Sequence, residues 1–378
     1  MTSVARVEHV GSLLRPGYLR AARDSYGAGK LTSAEFKAVE DQAVREVVAM
    51  QAQIGLPVVN DGEFRRDSFQ SELTAACDGF TGVSLDAWLW GAWHSAEVGD
   101  ATIERPDDLA VVAPLRKRRN LAAEEFTFLR SCLAEGSKAS KQVTSKVTLP
   151  SPTLFANLWS PERSTGAYPT LDAFMAEVVR VLQDEARELV RLGCTHLQLD
   201  APHYPLLIDP QWRAFYEARG WPLERWLSYG IELDNAVIDA GRPATFGFHL
   251  CRGNQLSRWL VSGAYDPIAR PVFGKIKADR LLLEYDDERS GSFGALSLVP
   301  DDKVVVLGLV TTKTSRVESL EEILGRLTQA CAVIDSERLA ISPQCGFATS
   351  VAGNAITPEA QHAKLALLVR AAEEFWGR

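Results

Sequence analysis

The sequence predicts an α/β protein built as a (β/α)8 barrel with a long insertion after the second strand. Three observations carry this. Short β-branched apolar runs alternate with helical patterns, the signature of a parallel sheet with crossover helices. Eight such runs can be placed, the strand count of a closed parallel barrel. No Gly-rich phosphate loop follows any of them, which sets aside a doubly wound open sheet.

The runs follow in order. Residues 9–12 are short and end in Gly11-Ser12. A helical stretch over 33–54 leads to a second strand at 57–61. The third, 145–149, comes only after the insertion of about 64–145. A strongly amphipathic helix over 171–192 precedes the fourth strand, 196–200, and a helix over 223–240 precedes the fifth, 245–251. Runs at 281–285, 303–310 and 339–342 complete the set, with helices at 320–334 and 358–375 after the last two. The whole chain, 1–378, thus reads as one barrel. Within the insertion, Trp88, Trp90 and Trp93 read as a local hydrophobic cluster or a pocket lining, and the basic run 116–119 as a solvated helix face.

Composition narrows the class. The chain has 378 residues, 46% hydrophobic and 24% charged, enough to bury a large core without covalent staples. A net charge of −8 argues against nucleic acid as a partner. No apolar run is long enough to span a membrane, and the N-terminus lacks the layout of a signal peptide. A cytoplasmic protein is expected. Six scattered cysteines are not a disulfide framework in a chain of this size, so each is a buried thiol, a metal ligand or a reactive group.

Barrel enzymes carry their chemistry on the C-terminal ends of the strands. The fifth strand ends in His249-Leu250-Cys251. Residues two apart on a strand share a face, so imidazole and thiol point together, a start for a zinc site or a core histidine beside a buried cysteine. The sixth ends in Glu284, whose carboxylate closes an apolar run and needs a partner: a metal, a salt bridge or a cap. The eighth runs into Cys345-Gly346, a ligand or a structural thiol. Together, one His, two Cys and one Glu on these ends make a candidate tetrahedral site.

These residues stand among others in a recognisable order: His9-Val10-Gly11-Ser12, Asn60-Asp61-Gly62-Glu63, Gln198-Leu199-Asp200, His249-Leu250-Cys251, Glu284 and Pro343-Gln344-Cys345-Gly346. Across nearly its whole length the sequence resembles the C-terminal catalytic barrel of cobalamin-independent methionine synthase, in the form of its short single-barrel relatives. The resemblance implies that His249, Cys251, Glu284 and Cys345 bind catalytic Zn2+. It implies that Gly11 and Ser12 grip the carboxylate of an amino-acid thiol, and that Glu63 and Asp200 take its ammonium. The expected activity is methyl transfer to the sulfur of homocysteine or a similar thiol, which zinc activates by lowering the thiol pKa.

Two departures matter. The full-length enzymes carry a second, N-terminal barrel that helps hold folate, so the methyl donor here is left open among folate, a corrinoid protein and others. The family's proton-transfer histidine after the seventh strand is missing; Lys313 or a threonine replaces it, or no acid is needed. His203 is a second candidate acid, and His9, Tyr204 and Trp159 are candidates for the pocket wall. Arg252 and Asn254 flank the metal strand as candidates to meet a substrate anion. Association into a homo-oligomer is also left open. Two other functions fit the same residues: a thiol alkyltransferase resembling epoxyalkane:coenzyme M transferase, and a non-catalytic zinc- or thiol-binding barrel.

Overall fold

The protein's structure, a computed structural model, describes residues 5–82 and 89–377. Seven strands pair in parallel and in chain order: Val58–Val59, Thr144–Pro150, His196–Asp200, Thr245–Leu250, Arg280–Glu284, Val304–Val310 and Leu339–Pro343. The first strand closes the ring. Val7 bridges Ile341 in parallel, with Glu8 N donating to the Ile341 carbonyl at 3.1 Å and Ile341 N to the Arg6 carbonyl at 2.8 Å. On its other flank Leu13 N donates to the Gly62 carbonyl and Asn60 Nδ2 to the Gly11 carbonyl, each at 3.1 Å. The result is a (β/α)8 barrel.

The sequence places the first strand at 9–12, whereas its ladder contact lies at Val7. Residues 9–12 run past the eighth strand and are held by side chains and loop amides instead. They thereby form part of the barrel mouth.

Strand period decides which residues face inward. Leu282, Val306 and Ala340 form with Val10 a small apolar layer inside the barrel, separate from the main core between strands and helices. Nearer the bottom the interior is charged. Lys146 Nζ lies 2.9 Å from Glu8 Oε2 and from Gln198 Oε1, and 2.5 Å from the His9 carbonyl, while Arg280 Nε donates to Glu8 Oε1 at 2.8 Å. The buried Glu8 carboxylate is paired with two cations, which is what its burial demands. The same alternation carries Asp200, His249 and Glu284 to the inner face at the C-terminal ends.

The helices begin where the sequence caps them. Thr32 and Glu35 form a capping box at Ser33–Ile54, and Ser319 and Glu322 another at Leu320–Cys331. Thr170 caps Leu171–Arg191 and Thr357 caps Pro358–Trp376. The stretch read as one helix over 223–240 is broken: a π-helical segment, Trp226–Gly230, separates Leu223–Arg225 from Ile231–Ala240. Trp226 is there packed against Trp221, Tyr216 and His203, and this aromatic layer sets the local winding.

Residues 64–145 hold two antiparallel pairs, Cys77–Thr81 with Ala110–Lys117 and Gly91–Trp93 with Ala101–Ile103, followed by the helix Leu121–Glu135. That helix packs against both Ser33–Ile54 and Leu171–Arg191, as the second barrel helix should. The basic run is not a helix face. Arg116 and Lys117 end a strand, Lys117 pairs with Glu185, Arg118 with Asp78 and Arg119 with Glu124. The alternation of Ala110–Lys117 and its partner strand override the charge pattern. Trp88 lies outside the described residues. Trp90 packs on Trp212 and Phe215, at 4.7 and 4.8 Å between ring centroids.

Candidate active site at the barrel mouth

Neighbouring strands bring the chemistry together by register. Asp200 pairs with His249, and His249 with Leu282, two residues before Glu284. Cys251 follows the fifth strand and Cys345 the eighth. His249, Cys251 and Cys345 are all buried, and each offers a ligand atom within 4.8 Å of the others. Neither ring nitrogen of His249 has a nitrogen or oxygen partner; its neighbour is the Cys345 thiol. Burial works against protonation of His249, but contact with Cys345 raises its pKa above the ordinary value. Contact with Cys251, together with burial, pushes the Cys345 thiol well up. Two thiols and an imidazole, enclosed and otherwise unpartnered, are a donor set that suits zinc with a fourth position free.

Glu284 is not brought into that cluster. Its Oε2 accepts from Arg252 N at 2.8 Å and its Oε1 from Arg289 Nη1 at 3.1 Å, with Lys313 Nζ at 3.7 Å. Burial opposes its ionisation, yet Lys313, Arg289 and Arg252 outweigh that and hold the carboxyl well below the usual range. Lys313 itself sits between Glu284 and Asp286, 3.7 Å from each, on the wall of a separate cavity.

A chamber opens beside the cluster and is lined by Gly11, Ser12, Glu63 and Asp200 as well as His249, Cys251 and Cys345. Glu63 adopts a left-handed backbone, φ 58°, rare and costly for a residue with a side chain. Its backbone is fixed by Asp61 Oδ1, which accepts from Glu63 N at 2.9 Å, and by Arg15 Nη2, which donates to the Glu63 carbonyl at 2.7 Å. Thr148 Oγ1 donates to Glu63 Oε1 at 2.7 Å, while Oε2 has no partner. Gly11 lets the chain pass Glu63 closely: a Cβ there would come within 2.5 Å of Glu63 Oε1 and displace the carboxylate. Burial, offset in part by Arg66 and reinforced by nearby Asp200, pushes the Glu63 carboxyl up to about 7. Asp200 is raised too, by burial, against the pull of His249. Gly346 passes Ser12 so closely that a Cβ would collide with Ser12 Oγ, at 2.1 Å.

Other candidates lie elsewhere. His203 Nε2 meets Thr153 Oγ1 at 2.5 Å inside the aromatic layer, and Tyr204 OH donates to Asp234 at 2.6 Å. His9 Nε2 meets Gln51 Oε1 at 2.7 Å, and Trp159 Nε1 donates to the Tyr168 carbonyl. None of the four lines the chamber. Arg252, read as a partner for a substrate anion, is also turned away: it donates to the Gly263 and Glu284 carbonyls and stacks on Tyr265. Asn254 does line the chamber, but its Nδ2 is bound to the Gly346 carbonyl at 2.7 Å.

Conversely, Ser68, Phe69, Gln70, Thr349 and Ser350 line it without having been foreseen. Ser68 and Ser350 bridge two loops, and Phe69 N donates to the Thr349 carbonyl at 3.1 Å. Neither loop has a periodicity that a sequence reading detects. Trp93, Leu89 and Phe69 roof the chamber, all three from the insertion; His94 and Trp259 exchange backbone hydrogen bonds that tie the hairpin Gly91–Ile103 to the loop after the fifth strand.

Fold and site together define a parallel-barrel protein with a thiol–imidazole cluster at its mouth. The chain belongs to the cobalamin-independent synthase catalytic-domain family, whose sequence pattern matches residues 158–374. It is 30% identical to the uncharacterized protein YxjH of Bacillus subtilis over 98% of this chain and 94% of that one. It is 24% identical to the methionine synthase of Saccharolobus solfataricus, over 89% of this chain and 86% of the relative. Its fold matches that of a B12-independent methionine synthase from Shewanella sp. W3-18-1, solved in complex with selenomethionine. The TM-score is 0.72 at 19% identity, covering 99% and 98% of the two chains. Among the described residues no helix is long and apolar enough to cross a membrane.

Proposed function

We propose that this protein is a zinc-dependent S-methyltransferase that methylates homocysteine or a closely similar amino-acid thiol. One observation carries the reading. A His-Cys-Cys donor set shares a buried chamber with two carboxylates, one of which has a free oxygen. Zinc, when bound by His249, Cys251 and Cys345, makes a thiol nucleophilic at neutral pH. Glu284, the fourth ligand that the family resemblance implies, is satisfied by Arg252 N and Arg289, which leaves a position for the substrate's sulfur.

The chain's own groups do the rest. Glu63 and Asp200 receive the substrate ammonium, a charge-assisted contact that repays their burial. Thr148 and Gln198 hold those carboxylates in place. Ser12 and the backbone beside Gly11 face the substrate carboxylate. Phe69, Leu89 and Trp93 exclude water, and a fixed thiol lowers the entropic cost of in-line attack. The Shewanella relative was solved with selenomethionine, an amino acid whose ammonium suits the two carboxylates of this chamber.

The coenzyme M reading is less well supported: a sulfonate needs a cation, and no Lys or Arg lines the chamber among the described residues. A closed structural zinc site is disfavoured by Glu284 standing outside the ligand cluster. X-ray absorption at the zinc edge, with and without L-homocysteine, tests the proposal. A shell with two sulfurs that gains a third supports it. A protein that binds no zinc, or a shell indifferent to the thiol, overturns it.

A further inference from the structure

The chamber is short of positive charge. Among the described residues its wall holds Glu63, Asp200, Cys251 and Cys345 but no Lys or Arg. The cations behind the wall are already engaged. Arg15 donates to the carbonyls of Glu63, Arg66, Ala348 and Ser350, Arg66 to Glu125, and Arg252 to backbone carbonyls. With zinc offsetting the two cysteinates, a zwitterionic amino-acid substrate brings one ammonium against two wall carboxylates and adds a carboxylate and a thiolate, so the balance stays negative. Unbalanced negative charge in a low-dielectric chamber strongly favours a cationic second ligand and penalises an anionic one.

The roof suits such a ligand. Phe69, Leu89 and Trp93 give it an apolar, partly aromatic surface. An aromatic face attracts cations too weakly hydrated to resist burial, quaternary ammonium above all. Finally, among the described residues lining the chamber no acid remains once His249, Cys251 and Cys345 hold zinc and Glu63 and Asp200 have bound the ammonium. Lys313 lines another cavity, His203 and His9 are turned elsewhere, and the two carboxylates are committed to the ammonium. The leaving group must therefore depart without being protonated.

We infer that the methyl donor is a small onium compound, a sulfonium or a quaternary ammonium, whose cationic centre lies beneath Trp93 and Phe69. This rests on the thiol-methylation reading. In the step, a lone pair on the substrate thiolate forms the S–CH3 bond. The bond from methyl to the donor's S+ or N+ breaks, and its electron pair stays on the leaving atom. The donor departs as a neutral thioether or tertiary amine. No proton moves, since the thiol proton has already gone to solvent when the thiol bound. Charge is neutralised as the bond forms, so a dry site favours the reaction.

The test uses the full-length, zinc-loaded protein. L-Homocysteine is offered with trimethylsulfonium, tetramethylammonium, methyltetrahydrofolate or methylcobalamin, and methionine is measured. Separately, calorimetry compares choline with its neutral isostere 3,3-dimethyl-1-butanol. Turnover with either onium donor, sulfonium or ammonium, exceeding that with the other two is expected. Choline should bind about tenfold more tightly than the isostere. Trp93→Leu should erase most of that preference and Trp93→Phe retain it. Faster turnover with the folate or the corrinoid, or equal binding of choline and its isostere, overturns the inference. Failure of the underlying reading is separately visible, as a zinc edge that L-homocysteine leaves unchanged.

Discussion

Gln198 Nε2 donates to Asp200 Oδ1 at 2.7 Å, across a single intervening residue of one strand. The same amide nitrogen reaches the Val10 carbonyl at 2.9 Å, and Gln198 Oε1 accepts from Lys146. The buried charge of Glu8 is thus connected through Lys146 and Gln198 to the carboxylate at the mouth. Gln198→Leu removes the link without touching the chamber wall. It should raise KM for L-homocysteine about tenfold while kcat changes far less, because a positioning contact worth ~1.5 kcal/mol is lost. Steady-state kinetics checks the split; an equal fall in kcat would contradict the positioning role.

Asp200→Asn keeps the shape of the side chain and removes its charge. Discrimination between an amino-acid thiol and a simple alkyl thiol should fall by about tenfold to a hundredfold, the usual worth of a buried charge-assisted contact. The measurement is kcat/KM for L-homocysteine against that for a propanethiol. Loss of both activities in equal proportion would remove the ammonium-binding role.

Cys251→Ser and Cys345→Ser should each lose bound zinc and activity while circular dichroism stays that of the folded barrel. Both thiols are small and buried beside one another, so the hydroxyl variants fit the space but ligate zinc poorly. Full zinc occupancy in either variant would show that the ligand set is wrong.

The pH dependence follows from Glu63, whose carboxyl is raised from its ordinary 4.5 to about 7. Between those values the folded chain holds a proton that the unfolded chain has released. The ligand-free protein therefore loses stability as pH rises through that window. A cationic ligand reverses the trend, because it needs the ionised form. L-Methionine, which has no thiol proton to confuse the reading, should bind about tenfold more tightly near pH 8 than near pH 6. Glu63→Gln should bind more weakly at both and show no such slope. Calorimetric titration at the two values settles it.

Lys146→Met leaves Glu8 buried with Arg280 as its remaining strong cation. Removing one partner of a buried charge cluster costs about 3–5 kcal/mol. Urea unfolding should show that loss with the m-value unchanged. A near-neutral result would mean that water or a shift of Arg280 repairs the site.

Much of the barrel was legible in the residues. Strand runs end in groups whose chemistry needs partners, capping residues mark the long helices, and a two-residue period sets Asp200, His249 and Glu284 on one face. The helix Leu121–Glu135 was missed because it sits inside a stretch read only as an insertion, and the π-helical break at Trp226–Gly230 because packing, not periodicity, creates it.

By itself the sequence determined the parallel barrel and the set of residues at its C-terminal mouth, since alternation and strand order are local properties of the chain. Only the tertiary structure decided which of them meet. It gathered His249, Cys251 and Cys345 but gave Glu284 to Arg252 N and Arg289, and it turned His203 and Lys313 away from the chamber. It also supplied a roof from Phe69, Leu89 and Trp93 and, among the described residues, a wall without Lys or Arg. These outcomes depend on competition among donors and acceptors from distant segments, and that competition is resolved by three-dimensional proximity, which no spacing along the chain encodes.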